Sequence, residues 1–116
     1  IMPENRALNY KLAEVYIRQN RPELAQPVLN RFLKNNPRDV NAWRLMQQAA
    51  SLDKKSPIHT INVLRYRAEV QFWSGFEEEA IKSLLHAQRL AKDNESMSAT
   101  IKTRLTQMQK DRQFRA

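Results

Sequence analysis

The chain has 116 residues, of which 41% are hydrophobic and 28% charged, with a single glycine and no cysteine. This length suits one domain, the composition favours helices over sheet or disorder, and the lack of cysteine excludes disulfides and thiolate metal sites. No segment reaches the run of about 18 apolar residues that a membrane-spanning helix requires, so we expect no membrane insertion.

The formal net charge of +8 raises the question of nucleic-acid binding. Phosphate-binding faces usually concentrate their basic residues. Here the lysines and arginines are scattered along every predicted helix, and the densest basic pair is only Lys54-Lys55. We therefore expect no nucleic-acid partner.

The first two predicted helices span about residues 5–19 and 22–35 and form a hairpin. Arg21-Pro22 marks the turn, because proline suits the first turn of a helix and not its interior. Apolar residues at helical spacing give each helix one buried face. They are Leu8, Leu12, Val15, Tyr16 and Ile17 in the first helix, and Leu24, Ala25, Val28, Leu29, Phe32 and Leu33 in the second.

Small and large residues recur in this hairpin at fixed offsets, namely Leu12, Ala13, Tyr16, Asn20, Ala25, Leu29, Phe32 and Pro37. This spacing is typical of the tetratricopeptide repeat, a helix hairpin of about 34 residues. Thirty-four residues after Asn9, Leu12 and Tyr16 stand Trp43, Met46 and Ala50, which open a second repeat in phase. The pattern predicts an all-α fold of tetratricopeptide-type hairpins, forming a short, irregular right-handed superhelix of about six helices.

The remaining helices are predicted over about residues 39–53, 57–74, 77–91 and 95–112. Asp39 is expected to cap the third, Ser56-Pro57 to open the fourth, and Gly75 to end it. We expect Ala80, Ile81, Leu84, Leu85 and Ala87 to form the buried side of the fifth. The sixth has the polar surface of a solvated terminal cap.

The second half departs from the 34-residue period. Four residues reproduce the first hairpin at an offset of 55, with Ala68, Gly75, Ala80 and Leu84 standing for Ala13, Asn20, Ala25 and Leu29. The fourth helix is therefore predicted to serve both as the partner of the Trp43 helix and as the opening helix of the last hairpin. We expect an irregular superhelix at this point.

No catalytic constellation is found in the sequence. His59 and His86 stand far apart and lack an HExxH motif or a carboxylate at a metal-ligand spacing. The run Glu77-Glu78-Glu79 complements the dipole of a helix N-terminus and needs no other role. We expect no catalytic residue, no metal and no cofactor in this chain.

In arrays of this type, the first helix of each hairpin lines the concave surface, so its inward-facing residues are candidates for protein binding. The predicted groove residues are Tyr10, Glu14, Arg18, Arg44, Gln48, Arg65, Glu69, Phe72 and Trp73, with Ile17 and Leu52 beside them. The alternative is that these residues only solvate the inner face. Trp43 is expected to pack in the core, whereas Trp73 either lies in a groove or fills the irregular junction.

Repeats that clamp C-terminal carboxylates place a Lys and an Asn where this chain has Tyr10 and Glu14. That chaperone-tail function is therefore not expected.

Taken in order, a longer series of residues resembles the C-terminal tetratricopeptide region of the BepA/YfgC-like family, the periplasmic β-barrel assembly-enhancing zinc metalloproteases. The series is Leu12-Ala13-x2-Tyr16, Ala25, Leu29-Asn30-Arg31, Asn41-x-Trp43, Gln48-Ala49, Arg67-Ala68-Glu69, Gly75, Ala80-Ile81, Leu84-Leu85 and Gln107-x-Gln109 with Arg112 and Phe114. The resemblance covers essentially the whole chain, and its irregular second half is the discriminating part.

The resemblance implies a non-catalytic module of a periplasmic protein whose zinc peptidase domain, with its HExxH site, lies upstream. Residues Ile1-Met2-Pro3-Glu4 look like a cut through a longer polypeptide, so we expect this chain to be one piece of it. Implied partners are the outer-membrane β-barrel assembly machinery, barrel precursors for quality control, and the parent's own peptidase domain. The alternatives left open are a generic scaffold or chaperone-type adaptor, a regulatory cover for an adjacent active site, and nucleic-acid binding.

Overall fold

The computed structural model describes residues 5–115, and it describes the side chains of residues 5–111. Residues 1–4 and the side chains of Arg112 and Phe114, which entered the sequence analysis, lie outside this description. Within it the secondary structure is entirely helical, which confirms the predicted all-α fold of about six helices. The helices are α1 (Arg6–Arg18), α2 (Pro22–Asn35), α3 (Val40–Leu52), α4 (His59–Trp73), α5 (Glu77–Leu90) and α6 (Glu95–Arg115). None of these helices is long and apolar enough to cross a membrane.

The six helices form two copies of a three-helix unit, 55 residues apart. Helix α2 begins at 22 and α5 at 77, and α3 begins at 40 and α6 at 95. The alanines and leucines that recur at this offset are all buried, with exposed fractions of 0–1%. They are Ala13, Ala25 and Leu29 in the first unit, and Ala68, Ala80 and Leu84 in the second. Helix α4 packs on both α3 and α5, as its double role required.

The first helix of each unit ends in the same way. Asn20 and Gly75 adopt positive φ angles of 56° and 95°. The Arg21 amide donates to the Tyr16 carbonyl at 2.9 Å, and the Phe76 amide donates to the Gln71 carbonyl at 2.8 Å. These are the bonds of a Schellman cap, in which a left-handed residue turns the chain back over the helix end. The cap sets the direction of the following helix in both units.

The third helix of each unit begins in the same way too. Asp39 accepts a hydrogen bond from the Ala42 amide at 3.2 Å, and Asn94 accepts one from the Met97 amide at 3.0 Å. A side-chain oxygen at this position satisfies one of the free amides of the first helical turn. The predicted cap of α3 by Asp39 is therefore confirmed.

The start of α4 differs from the prediction. The helix begins at His59, and Pro57 lies in the preceding turn, not at the first helical position. The Ser56 hydroxyl accepts from the Ile58 amide at 3.2 Å, and the Ser56 carbonyl accepts from the His59 amide at 3.1 Å. Ser56 thus forms a local turn with the backbone instead of capping the helix.

Three residues predicted on buried faces are exposed. Leu8 and Leu12 of α1 have exposed fractions of 57% and 41%, and Leu85 of α5 has 38%. Helix α1 packs mainly on α2 and α3, which cover only the side of α1 that carries Ala13. Helical periodicity identifies an apolar face, but the neighbouring helices decide how much of it is buried.

Candidate functional site

A pocket of about 250 Å³ lies between α4 and α6. We call it the α4–α6 pocket. Its lining combines apolar floor residues with aromatic, hydroxyl and arginine side chains, contributed by four helices. They are Trp43 of α3; Arg65, Tyr66 and Glu69 of α4; Leu84 of α5; and Thr100, Ile101, Thr103, Arg104 and Gln107 of α6.

Two stacked aromatic rings form one wall of the α4–α6 pocket. The ring centroids of Trp43 and Tyr66 are 6.0 Å apart and their planes differ by 28°. The Trp43 indole Nε1–H donates to the Pro37 carbonyl at 2.8 Å, which holds the ring in place. Trp43 is half-buried, so it contributes to the core as predicted and also presents one part of its ring to the pocket.

The guanidinium of Arg65 covers the outer face of this wall. Its Cζ atom lies 5.4 Å from the centroid of the Tyr66 ring, and its Nη1 donates to Asn62 Oδ1 at 2.9 Å. A cation over a tyrosine face is attracted by the negative charge density of the ring. The stack and the hydrogen bond together restrict the arginine to one orientation.

A partly buried ion pair also lines the α4–α6 pocket. Arg104 Nε and Nη2 donate to Glu69 Oε2 and Oε1 at 2.7 and 2.8 Å. Glu69 is the one charged residue of the described core, with an exposed fraction of 7%. The parallel geometry of the two bonds matches the planar guanidinium to the carboxylate, which is the strongest form of this pairing.

A second, larger cavity of about 670 Å³ lies at the end of α4. We call it the Trp73 cavity. It is lined by Arg38, Phe72, Trp73, Ser74, Gly75 and Asp111. The indole of Trp73 stands between the Cζ atoms of Arg38, at 5.5 Å, and Arg104, at 5.7 Å, and its Nε1–H donates to Glu69 Oε1 at 3.2 Å. Trp73 therefore connects the Trp73 cavity to the Glu69–Arg104 pair of the α4–α6 pocket.

The predicted groove candidates lie in different parts of the structure. Arg65 and Glu69 line the α4–α6 pocket, and Phe72 and Trp73 line the Trp73 cavity, although Phe72 is 2% exposed. Gln48 is exposed and lines a separate cavity of about 320 Å³ with Ile17, Ser51 and Leu52. Tyr10 is half-buried against Phe32, and Glu14, Arg18 and Arg44 are exposed.

The sequence candidates did not include several cavity residues, among them the aromatic and arginine side chains of Arg38, Trp43, Tyr66 and Arg104. Arg104 was overlooked because α6 was expected to be a solvated cap. The offset of 55 holds a signal for this helix, since Met46 of α3 corresponds to the buried Ile101 of α6. Applying that offset to the whole chain predicts that α6 has a buried face and packs on α5, as α3 packs on α2.

A separate polar cluster joins α1 to the start of α3. The Tyr10 hydroxyl donates to Asp39 Oδ1, and Arg6 Nε lies 3.0 Å from Asp39 Oδ2. Burial raises the pKa of Tyr10 above its ordinary value of 10.0, and the hydrogen bond to Asp39 raises it further. The hydroxyl of the binding candidate Tyr10 is therefore used in a contact between α1 and the start of α3.

The chemistry available at these cavities is that of binding. Within the described residues, no group of three His, Cys, Asp or Glu side chains could hold a metal ion. Stacked arginines offer planar N–H donors to carboxylates, and the aromatic wall offers an apolar face. Such a surface suits the side chains of another polypeptide.

Comparison with known proteins also indicates a fold of helical hairpins. Residues 1–49 match the family model described as tetratricopeptide repeat. Over 105 residues the chain is 31% identical to the β-barrel assembly-enhancing protease of Escherichia coli strain K12, and to the proteins of the same name from Shigella flexneri and Escherichia coli O157:H7. The alignment covers 90% of this chain and 20% of each relative, so the chain spans about a fifth of the length of the curated relatives it matches. No solved structure gives a significant match.

These matches confirm the resemblance predicted from the residue series. Tetratricopeptide arrays are interaction folds, in which stacked helix hairpins present extended surfaces to other proteins. The chain thus has a tetratricopeptide-type fold, matches the tetratricopeptide family model over residues 1–49, and resembles a segment of the β-barrel assembly-enhancing proteases, which together indicate a protein-interaction module.

Proposed function

We propose that this chain is the interaction module of a periplasmic β-barrel assembly-enhancing zinc metallopeptidase. In this role it carries no catalytic residue and no cofactor, and the zinc belongs to a peptidase domain elsewhere in the parent protein. The observation that carries the proposal is the 31% identity over 90% of the chain to proteases of that name. The irregular second unit, which distinguishes this chain from generic repeats, lies within the aligned length.

We propose further that the module binds polypeptide segments of outer-membrane barrel precursors, or of the machinery that assembles them, at the α4–α6 pocket. Two features support this location. The pocket combines an apolar floor of Leu84 and Ile101 with polar groups at its rim, which is the usual composition of a site for protein side chains. Its aromatic wall also carries tryptophan, tyrosine and arginine, the residues most often found at the energetic centre of interfaces.

Site-specific photocrosslinking tests this proposal. A photoreactive residue is placed at Gln107, on the rim of the α4–α6 pocket, or at Lys82, an exposed position of α5 that does not line it. Each variant is incubated with a urea-unfolded outer-membrane β-barrel protein after dilution of the urea. We expect crosslinks from position 107 and few from position 82. Equal yields at both positions would overturn the pocket as the binding site.

A second arm identifies the class of partner. The same variants are incubated with an unfolded protein that has no β-barrel. Crosslinks of equal yield to both unfolded proteins would indicate a general adaptor and contradict the barrel-specific role.

A further inference from the structure

We propose that the α4–α6 pocket binds a polypeptide segment in its extended conformation, through one aromatic side chain, one side-chain carboxylate and one edge of the backbone. The aromatic ring enters the pocket, the carboxylate pairs with Arg65, and the backbone bonds to Thr103 and Gln107 of α6. This inference rests on the proposed function, because it names the conformation and the chemistry of the segment that the module binds.

The lining of the α4–α6 pocket carries one net positive charge. Three charged residues contribute to it, and two of them, Glu69 and Arg104, neutralise each other in their ion pair. Among the described residues, no carboxylate lies within ion-pair distance of the third, Arg65. The pocket therefore complements a partner that brings one negative charge.

The side chain of Arg65 is oriented before any ligand binds. Its Nη1 donates to Asn62 Oδ1 at 2.9 Å, and its Cζ lies 5.4 Å from the centroid of the Tyr66 ring. The guanidinium has further N–H donors beyond the one bonded to Asn62, and a carboxylate can accept two of them in parallel. Because the arginine is restricted beforehand, binding costs less conformational entropy than it does for a free arginine.

The carboxylate is assigned to a side chain within the segment, not to a chain terminus. Repeats that clamp a C-terminal carboxylate place a Lys and an Asn where this chain has Tyr10 and Glu14. Both of these residues lie on α1, and neither lines the α4–α6 pocket. An aspartate or glutamate inside the segment therefore matches the single unpaired arginine.

The size of the α4–α6 pocket suits one side chain. Its volume is about 250 Å³ and its floor consists of Leu84 and Ile101. Pockets for small-molecule ligands commonly occupy roughly 300–1,000 Å³. The pocket is thus better matched to one side chain of a longer segment, and its wall of Trp43 and Tyr66 favours an aromatic ring.

The hydroxyl of Thr103 differs from those of the neighbouring threonines of α6. The hydroxyls of Thr100 and Thr106 each donate to the carbonyl four residues earlier, at 3.0 Å. Within the described part of the chain, the Thr103 hydroxyl makes no such bond, although Thr103 lines the pocket. This hydroxyl is therefore free to accept a hydrogen bond from a backbone N–H of a ligand.

The side-chain amide of Gln107 offers the complementary group. Its Oε1 accepts from Arg104 Nη1 at 3.2 Å, which leaves the two N–H donors of Nε2 for a ligand carbonyl. Residues 103 and 107 lie about 6 Å apart along the axis of a helix. Groups on one edge of an extended chain repeat every second residue, about 6.6 Å apart. Thr103 and Gln107 thus have the spacing to bond one edge of an extended backbone.

The charge of the pocket favours a polypeptide over a nucleic acid. Binding along a phosphate backbone requires a row of cations, each neutralising one phosphate. The α4–α6 pocket offers only Arg65 as an unpaired cation, because Arg104 is held by Glu69. One carboxylate beside one aromatic ring matches this arrangement.

Fluorescence anisotropy with short labelled peptides tests the inference on the purified 116-residue chain. The reference peptide has one phenylalanine, with an aspartate two residues before it and another two residues after it, in a Ser/Thr background with a C-terminal amide. Side chains two residues apart lie on the same face of an extended chain, and the two aspartates allow either chain direction. Replacing both by asparagine, or moving both next to the phenylalanine, is expected to weaken binding about fivefold. Replacing the phenylalanine by alanine is expected to weaken it about tenfold.

Backbone methylation tests the extended conformation. Two further peptides carry the same number of N-methyl groups, one on the two aspartates and the other on the two residues next to the phenylalanine. The N–H groups of these two pairs point to opposite edges of an extended chain. Because only one edge can face α6, we expect one peptide to bind about fivefold more weakly than the reference and the other to bind within about twofold of it.

The chain offers matched controls for the residues of the pocket. Thr103→Val is expected to weaken the reference peptide about fivefold, whereas Thr106→Val leaves its affinity unchanged, since the Thr106 hydroxyl is bonded to Lys102 and does not line the pocket. Arg65 and Arg44 each donate to the Asn three residues earlier, at 2.9 and 3.1 Å. Arg65→Gln is expected to weaken the peptide about fivefold, and Arg44→Gln to leave its affinity unchanged. Circular dichroism checks that each variant is folded.

Several outcomes would overturn the inference. A reference peptide that does not bind, or two methylated peptides that bind equally, would exclude recognition of one extended edge. Equal losses for Arg65→Gln and Arg44→Gln would show only general charge attraction. An asparagine peptide with a free C-terminus that binds as well as the reference would assign the site to a terminal carboxylate. A single-stranded oligonucleotide that displaces the peptide at lower concentration would assign it to nucleic acid.

The proposed function can fail or stand independently of this inference. A photoreactive residue at position 107 replaces one backbone contact but leaves Thr103, Arg65 and the aromatic wall in place. If unfolded proteins crosslink there while the two methylated peptides bind equally, the extended edge is wrong and polypeptide binding at the pocket stands. If no polypeptide crosslinks there, both proposals fail.

Discussion

Arg104 of α6 and Glu69 of α4 form a two-bond ion pair, at 2.7 and 2.8 Å, across 35 residues of chain. The pair is enclosed by aromatic rings, with Arg104 Cζ 5.4 Å from the Phe72 centroid and 5.7 Å from that of Trp73. Helix α6 packs on α5, and this ion pair also connects it to α4. The α4–α6 pocket thereby keeps one of its walls. The pair thus links the stability of the fold to the shape of the site.

Replacing Glu69 by Gln is expected to lower the free energy of unfolding by about 2 kcal/mol, because Arg104 then lacks a negative partner in a largely buried position. Urea denaturation followed by circular dichroism measures this. The matched control is Glu14→Gln, at the equivalent position of the first unit, where the side chain is exposed. It is expected to change stability by less than about 0.5 kcal/mol. Equal effects of the two substitutions would argue against a structural role for the pair.

Replacing Gly75 by Ala is expected to destabilise the chain by about 1–2 kcal/mol, because an L-residue is strained at a φ of 95°. No atom lies within 4 Å of the added Cβ, so the cost arises from the backbone alone. Thermal and urea unfolding measure it. Asn20→Gly is the companion variant, since Asn20 already adopts a φ of 56°. We expect it to change stability by less than about 0.5 kcal/mol. If Gly75→Ala were neutral, the left-handed cap of α4 would not be required.

Replacing Pro27 by Ala is expected to stabilise the chain. Pro27 lies inside α2, where it has no N–H to donate to the carbonyl of Glu23. The gain is expected to be about 1–2 kcal/mol, less than the full helix propensity difference because the natural chain has adapted to the proline. The equivalent position of the second unit is the exposed Lys82, and Lys82→Ala is the control, expected to be close to neutral. A less stable Pro27→Ala variant would show that the proline is needed for the shape of α2.

Tyr10 is expected to make the chain less stable at alkaline pH. Its pKa is raised in the folded state above the ordinary value of 10.0, chiefly by burial. The unfolded chain therefore loses this proton first as the pH rises, so the stabilisation is complete below about pH 10 and decreases above it. Tyr10→Phe removes the hydrogen bond to Asp39 and is expected to cost about 1 kcal/mol near neutral pH.

The test compares urea unfolding of the natural chain and the Tyr10→Phe variant at neutral and alkaline pH. We expect the difference in stability to narrow above about pH 10, since only the natural chain has this proton to lose. A difference that stays constant between neutral and alkaline pH would contradict the raised pKa of Tyr10.

Most of the architecture could be predicted from local patterns. Apolar periodicity located the helices, and Arg21-Pro22, Asp39 and Gly75 marked helix ends, because caps and turns depend on residues within one helical turn. Two predictions were wrong, one about a helix cap and one about burial. Ser56 turned the backbone before α4 instead of capping it, and Leu8 and Leu12 remained exposed on an apolar face.

The candidate site was predictable only in part, because its contacts join residues on different helices. Arg65, Glu69 and Trp73 were identified from their register on α4. Their partners Tyr66, Arg104 and Arg38 were not. Stacking and ion pairing across 35 residues leave no periodic signal in a single sequence.

The sequence by itself therefore determined the helices, the caps at Asp39 and Gly75, and the repetition at an offset of 55, since these depend on neighbouring residues and on buried alanines that recur at set positions. Only the tertiary structure decided that α6, which packs on α5, also reaches α4 through the pair of Arg104 with Glu69, with a pocket left between α4 and α6. The physical reason is that the position of a helix against its neighbours depends on side-chain packing across the whole core, whereas the helix itself depends on its own residues.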